Sequence, residues 1–325
     1  MDFRLVELER WLGAQFPSLP CTLTPASADA SFRRYFRARL QDGRSFIVMD
    51  APPEKEDCRP FLHIATLFGA AGAHVPAIHA QDLAAGFLLL EDLGASTYLD
   101  CIERKQDPQP LYAAATESLL RIQLASRPGL LPEYDRALLG RELALFPDWY
   151  LARERRLALS PADRQALDDA FELLLANNLA QPRVYVHRDY HSRNLMQSDP
   201  LPGILDFQDA VFGPITYDLV SLLRDAYVQW DEAQVLDWAV RYWEKARKAG
   251  LPVRADFAEF YRDFEWMGAQ RQLKVVGIFA RLCHRDGKAR YLADIPRVFG
   301  YLLATCRRYR ELVPLARLLE PLEPA

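Results

Sequence analysis

The sequence predicts an α+β protein of two lobes, a small N-terminal antiparallel sheet lobe followed by a larger, mainly helical one. Three observations carry that expectation. At 325 residues the chain exceeds one typical core and is short for three. Short apolar alternations fill the stretch from Cys21 to Glu91, and long helical periods follow Leu93-Gly94. The lobes are therefore placed at residues 1–92 and 93–325.

Leu5, Leu8 and Leu12 recur at helical spacing and predict an N-terminal helix. Tyr35 to Leu40 puts Phe36, Ala38 and Leu40 on one face, and the Asp42-Gly43 pair predicts a turn into Phe46 to Met49. Pro60 to Phe68 reads as a helix with proline in its first turn. Ala77 to Ala80 and Phe87 to Leu90 read as strands joined around Gly86. Beyond them, Leu111, Ala115, Leu119 and Ile122 share a helix face, and Ser160-Pro161-Ala162-Asp163 has capping-box spacing. The turn Asp199-Pro200-Leu201-Pro202-Gly203 precedes Ile204-Leu205 and predicts a short hairpin leading to Asp206.

Composition narrows the function. The 40 basic and 44 acidic residues give a net charge of −4 and a pI of 5.9, which argues against nucleic acid as a partner. The five cysteines are scattered and form no C-x-x-C pair, so neither a disulfide framework nor a zinc site is expected. Charge interrupts the first twelve residues, and no apolar run reaches the roughly 18 residues of a membrane span. A cytoplasmic protein with no membrane partner, working as a monomer, is the expectation.

The segment Val186-His187-Arg188-Asp189-Tyr190-His191-Ser192-Arg193-Asn194 has the H-R-D-x-x-x-x-N spacing, and Ile204-Leu205-Asp206-Phe207 places an aspartate after an apolar strand. Phosphoryl transfer needs an acceptor oxygen in line with the phosphorus and a metal to neutralise phosphate charge. Asp189 suits the acceptor-orienting base, and Asn194 and Asp206 suit oxygen ligands for Mg2+. Asp and Asn also favour loops for local reasons. The full pattern, followed by the D-F dipeptide and preceded by a sheet, favours the kinase-like interpretation.

These residues resemble the protein-kinase-like superfamily and, through His191 two places after Asp189, the aminoglycoside phosphotransferase family. The resemblance implies a two-lobed protein-kinase-like fold with ATP in the cleft, adenine against the backbone of Leu90-Glu91-Asp92-Leu93, and His191 near the phosphates. The stretches Ser31 to Phe36, Phe46 to Pro53, Leu205 to Ala210 and Phe279 to Lys288 are similar to bacterial anomeric kinases of amino sugars. That similarity implies ATP-dependent phosphorylation of the C1 hydroxyl of N-acetylmuramate and N-acetylglucosamine in peptidoglycan recycling. An aminoglycoside, a choline-like alcohol or another small hydroxyl compound is the alternative acceptor.

Two departures from the kinase pattern stand out. Residues 28–34 lack the usual glycines, and Met49 occupies the slot of the phosphate lysine. Pro60 to Phe68 also lacks an acid to partner such a lysine. Ser31, Arg33 or Arg34 is therefore expected to supply the phosphate contact, arginine through its donor fork. The missing lysine raises a second alternative, a nucleotide-binding pseudokinase, against which Asp189, Asn194 and Asp206 argue. His187 is expected to brace the loop. Arg281, His284, Arg285, Asp286 and Lys288 read either as sugar contacts or as a solvated helix end, the latter favoured for each residue.

Overall fold

Asp2 caps the first helix through a side-chain bond from the Leu5 N–H (3.2 Å), and that helix lays Leu8 and Leu12 onto a sheet. The computed structural model describes residues 2–27 and 32–324. It divides into two compact units, residues 1–96 with 196–209, and residues 97–195 with 210–325. The stretch 196–209 thus packs with the N-terminal unit although it lies far beyond residue 92.

In the first unit, α1 (Phe3–Gln15) is followed by β1 (Cys21–Ser27), β2 (Arg34–Leu40), β3 (Ser45–Asp50), α2 (Arg59–Ala70), β4 (Ile78–Asp82) and β5 (Phe87–Glu91). The five strands form one antiparallel sheet in the order β1-β2-β3-β5-β4. Phe36 faces Val48 across the β2–β3 hairpin, and Gly43 supplies the positive φ of 91° that its turn requires. Leu8, Leu12, Ala38, Val48, Phe87 and Leu89 form the buried core of this sheet face. Each large apolar side chain so buried contributes about 1.5–3 kcal/mol. Asp50, fully buried, accepts from Arg4 Nε (3.0 Å) and Arg34 Nε (2.8 Å), tying α1 to β2 and β3. Both hydrogen bonds and opposite charge stabilise that otherwise costly burial.

The second unit contains α3 (Tyr98–Glu103), α4 (Pro108–Leu124), α5 (Arg136–Leu145), a π-helical segment Phe146–Glu154, α6 (Pro161–Leu179) and β6 (Arg183–Val186). After the short ladder of β7 (Leu195–Met196) with β8 (Gly203–Ile204), it resumes with β9 (Val211–Pro214), α7 (Tyr217–Leu223), α8 (Glu232–Lys248), α9 (Phe257–Asp286), α10 (Ile295–Arg308) and α11 (Val313–Leu319). β6 pairs antiparallel with β9. The 30-residue α9 is about 45 Å long and forms the spine, against which α5, α6, α7 and α10 pack. At Gly277 the approach is so close that a Cβ would lie 2.4 Å from the carbonyl carbon of Leu145. Glycine is required there by contact rather than by backbone angle. No helix among the described residues is long and apolar enough to cross a membrane.

Candidate active site

β6 is buried through Val184, Tyr185 and Val186, so the chain leaves it from a fixed point and enters the loop His187–Asn194. Arg188 adopts a positive φ of 77°, an unfavourable conformation for a long side chain that must be held from outside. Asp218, in the first turn of α7 and fully buried, holds it by accepting the His187 N–H (2.6 Å) and the Arg188 N–H (2.9 Å). Buried His187 braces the next position, its Nδ1 accepting the Asp189 N–H (3.2 Å). Asp225 accepts from the Ser192 and Tyr227 N–H groups (2.9 Å each), and the Tyr190 hydroxyl donates to the Ala115 carbonyl (2.8 Å). Asn194 donates its side-chain N–H to the Asp189 carbonyl (2.9 Å), which closes the loop and fixes which end of the amide is oxygen.

This scaffold leaves the Asp189 carboxylate half-exposed, with an Arg271 guanidinium nitrogen 4.0 Å away. Burial pushes the carboxyl up, but Lys274, His191, Arg271 and Arg188 outweigh it and hold its pKa at about 2. The group is anionic at neutral pH and can accept a hydrogen bond from a hydroxyl. His191 is partly buried against Tyr227, at 5.4 Å between ring centroids. Desolvation lowers its pKa and favours the neutral imidazole.

Beneath Asp189 lies a buried charge network absent from the sequence expectations. Glu142 on α5 accepts from Arg188 (2.6 Å), Lys274 (2.9 Å) and the Tyr134 hydroxyl. Lys274 also donates to the Tyr217 hydroxyl (2.9 Å), and Arg271 donates to Ser221 Oγ (2.7 Å). Burial alone would raise the Glu142 pKa, but Lys274 and Arg188 bring it below its ordinary value. Arg271 and Lys274 stand three apart on α9, in a buried stretch where Gln270 and Gln272 flank Arg271 and the apolar run Val275 to Ala280 follows Lys274. A polar pair at helical spacing where a buried helix should be apolar is the signal that marks them.

In the first unit, Asp206 follows β8 with a positive φ of 61° and an exposed side chain, its Oδ1 accepting from Gln208 Nε2 (2.7 Å). Phe207 anchors it by packing on Phe61, with centroids 4.7 Å apart. The oxygens of Asn194 and Asp206 are the hard donors that a magnesium ion takes, so both residues suit that group. Met49 is fully buried in β3 opposite Tyr35 and Leu88, as an apolar core residue. Arg34 is held by Asp50 and Asp2, and Arg33 pairs with Glu56 at 3.0 Å. Ser31 lies outside the described residues.

Leu90 and Leu93 are buried. The Glu91 carboxylate meets His74 Nε2 (3.2 Å) and the Ala77 N–H (3.1 Å), so its side chain stabilises the end of the sheet. His284 and Arg285 lie in the last turn of α9, where His284 meets Glu154 (2.6 Å), Arg285 meets Asp286 (2.7 Å) and Gly287 caps the helix. This is a capped, solvated helix end. Tyr150 and Trp266 are buried core residues, and Trp230 donates to the Tyr112 hydroxyl (3.0 Å).

Burial raises the Asp218 pKa to about 7, against the lowering effect of its two N–H donors. The folded protein thus keeps a proton there that an ordinary aspartate releases near pH 4. The associated stability is fully present below about pH 4 and is lost as pH rises through about 7. Urea unfolding from pH 4.5 to 7.5 should show wild type losing stability relative to Asp218→Asn as pH rises; a pH-independent difference would contradict the assignment.

Residues 22–257 match the phosphotransferase enzyme family. A protein of Pseudomonas putida named N-acetylmuramate/N-acetylglucosamine kinase is 51% identical, over 99% of this chain and 97% of its own. A Neisseria meningitidis protein of the same name is 51% identical over 97% and 95%, and one from Caulobacter vibrioides is 33% identical over 84% and 85%. Among solved structures, a choline/ethanolamine kinase family protein from Mesorhizobium loti aligns over 97% of this chain and 99% of its own, with a TM-score of 0.64 at 14% identity. The GDP complex of aminoglycoside 2'-phosphotransferase-IIIa aligns over 94% and 99%, with a TM-score of 0.62 at 14% identity. These two likenesses establish the kinase-like fold.

Proposed function

The chain belongs to the phosphotransferase enzyme family, and from that premise we propose that it is an ATP-dependent kinase acting on the anomeric C1 hydroxyl of N-acetylmuramate and N-acetylglucosamine. The observation that carries this reading is 51% identity, along nearly the whole chain, to relatives bearing that name. The reaction would serve peptidoglycan recycling in the cytoplasm, with the protein acting as a monomer.

Asp189 is the proposed acceptor-orienting base. A hemiacetal hydroxyl is more acidic than an ordinary alcohol, so an aspartate held at a pKa of about 2 serves mainly to align the oxygen rather than to remove its proton beforehand. Asn194 and Asp206 are the proposed oxygen donors to magnesium, an assignment carried by their spacing in the sequence. Magnesium, when bound, neutralises phosphate charge. The nucleotide would lie against the backbone of Leu90, Glu91 and Leu93, with Ser31, Arg33, Arg34 and His191 as candidates for the phosphates. The neutral imidazole of His191 adds no charge of its own and would act there as a hydrogen-bonding group.

The test is to supply magnesium ATP with N-acetylmuramate, N-acetylglucosamine, aminoglycosides or choline and to locate the product phosphorus by NMR. Phosphorylation at C1 of the two amino sugars, abolished by a chelator, is expected. Transfer to a non-anomeric oxygen would overturn the acceptor assignment and leave the family unchanged.

A further inference from the structure

The sheet unit must meet a triphosphate without a lysine on β3, because Met49 is sealed into the core. The cations of this unit differ in what holds them. Arg4 and Arg34 converge on buried Asp50, where they complete the fold. Arg37 is spent on Asp92 (2.7 Å) and on the Gly94 carbonyl (2.7 Å). Arg44 and Arg59 pair with Asp42 and Asp57, each two residues away on the exposed surface. Lys55 lies over the Phe32 ring at 4.7 Å.

Arg33 differs from all of these. It stands at the entry to β2, within the glycine-free stretch 28–34, and its guanidinium meets Glu56 at 3.0 Å. The side chains are only 12% and 17% exposed. Glu56 belongs to the turn before α2, and that turn is fixed by the Lys55 and Glu56 N–H groups, both donating to the Pro52 carbonyl at 2.9 Å. A mostly desolvated ion pair between two loop segments adds little stability for its cost, and the Asp50 cluster already ties this part of the sheet together. What the pair does supply is an arginine of fixed position, whose planar fork matches phosphate oxygens.

We propose that Arg33 is the phosphate-gripping cation of this protein and that Glu56 is its positioning residue, so that the charge pair is built from the segment entering β2 and the segment between β3 and α2 rather than from β3 and α2 themselves. The inference rests on the nucleotide-binding reading above and adds Glu56 to it.

The experiment is calorimetric titration of the full chain with ATP, ADP and adenosine, without any acceptor sugar. Arg33→Ala should weaken ATP and ADP binding at least tenfold and leave adenosine affinity unchanged; Arg33→Lys should recover part of the loss. Glu56→Ala should weaken ATP and ADP about three- to tenfold in the wild-type background and have no further effect on top of Arg33→Ala. That non-additivity separates a residue acting through Arg33 from one that merely stabilises the loop. Unchanged ADP affinity in both Arg33 variants, or an equal Glu56→Ala effect in both backgrounds, would overturn the proposal. Wild type that binds no nucleotide would overturn the nucleotide reading together with it. Wild type that binds ATP but phosphorylates no amino sugar would refute only the acceptor assignment, and the Arg33 comparison would still be decided.

Discussion

Asp189→Asn should lower turnover by about 10²–10⁴-fold, the range by which a positioned acid–base group accelerates proton transfer. The isosteric amide can retain the loop: the Asp189 N–H still meets His187, and the Asp189 carbonyl still receives the Asn194 amide. What disappears is the anionic acceptor that aligns the hydroxyl. Nucleotide and sugar affinities should therefore stay within about threefold while kcat collapses, which is the pattern of an interaction made in the transition state. Coupled assay of ADP release with saturating substrates measures kcat, and calorimetry measures affinity. A variant with more than about a tenth of wild-type turnover would remove Asp189 from the role.

Loss of either partner in the Glu142–Lys274 pair should destabilise the protein by about 3–5 kcal/mol, because it leaves the buried charges of the network unbalanced. Lys274→Met leaves Glu142 with Arg188 and the Tyr134 hydroxyl, whereas Glu142→Gln leaves Lys274 and Arg188 facing each other. The second change should therefore be the more damaging. Combining the two should cost less than the sum of the single changes, since both charges leave together. Urea unfolding of the two single variants and the double variant measures this. Single losses under about 1 kcal/mol, or strict additivity, would show that the network is not the support described above.

Much of the architecture is legible in local sequence because the relevant signals are local. The Asp42-Gly43 turn sets the β2–β3 register, proline opens α2, and Leu111, Ala115, Leu119 and Ile122 mark the buried face of α4. His187, Asp189 and Asn194 are legible for the same reason, since the loop that holds them is continuous. Its supports are not. Asp218 and Asp225 act on backbone N–H groups about thirty residues upstream, which no spacing rule reveals. Glu142, Arg271 and Lys274 come from α5 and α9, brought together by packing. Glu56 escapes a search for an acid on α2 because it sits in the turn before that helix. The hairpin before Asp206 is legible as a turn, but not the packing of residues 196–209 with the N-terminal sheet unit.

Gly277 sets the spacing between two charged partners. Lys274 lies three residues before Gly277 on α9, and Glu142 lies three residues before Leu145 on α5, so the contact between helix backbones is about one turn from the ion pair on each side. Side chains between helices act as compliant spacers, changing rotamer and letting the axes breathe. Here the spacer has been removed, and the two backbones bear directly on one another. The separation of the two helix backbones beside the ion pair is therefore held by direct contact. Arg188, which donates to Glu142, links that contact to the residue next to Asp189.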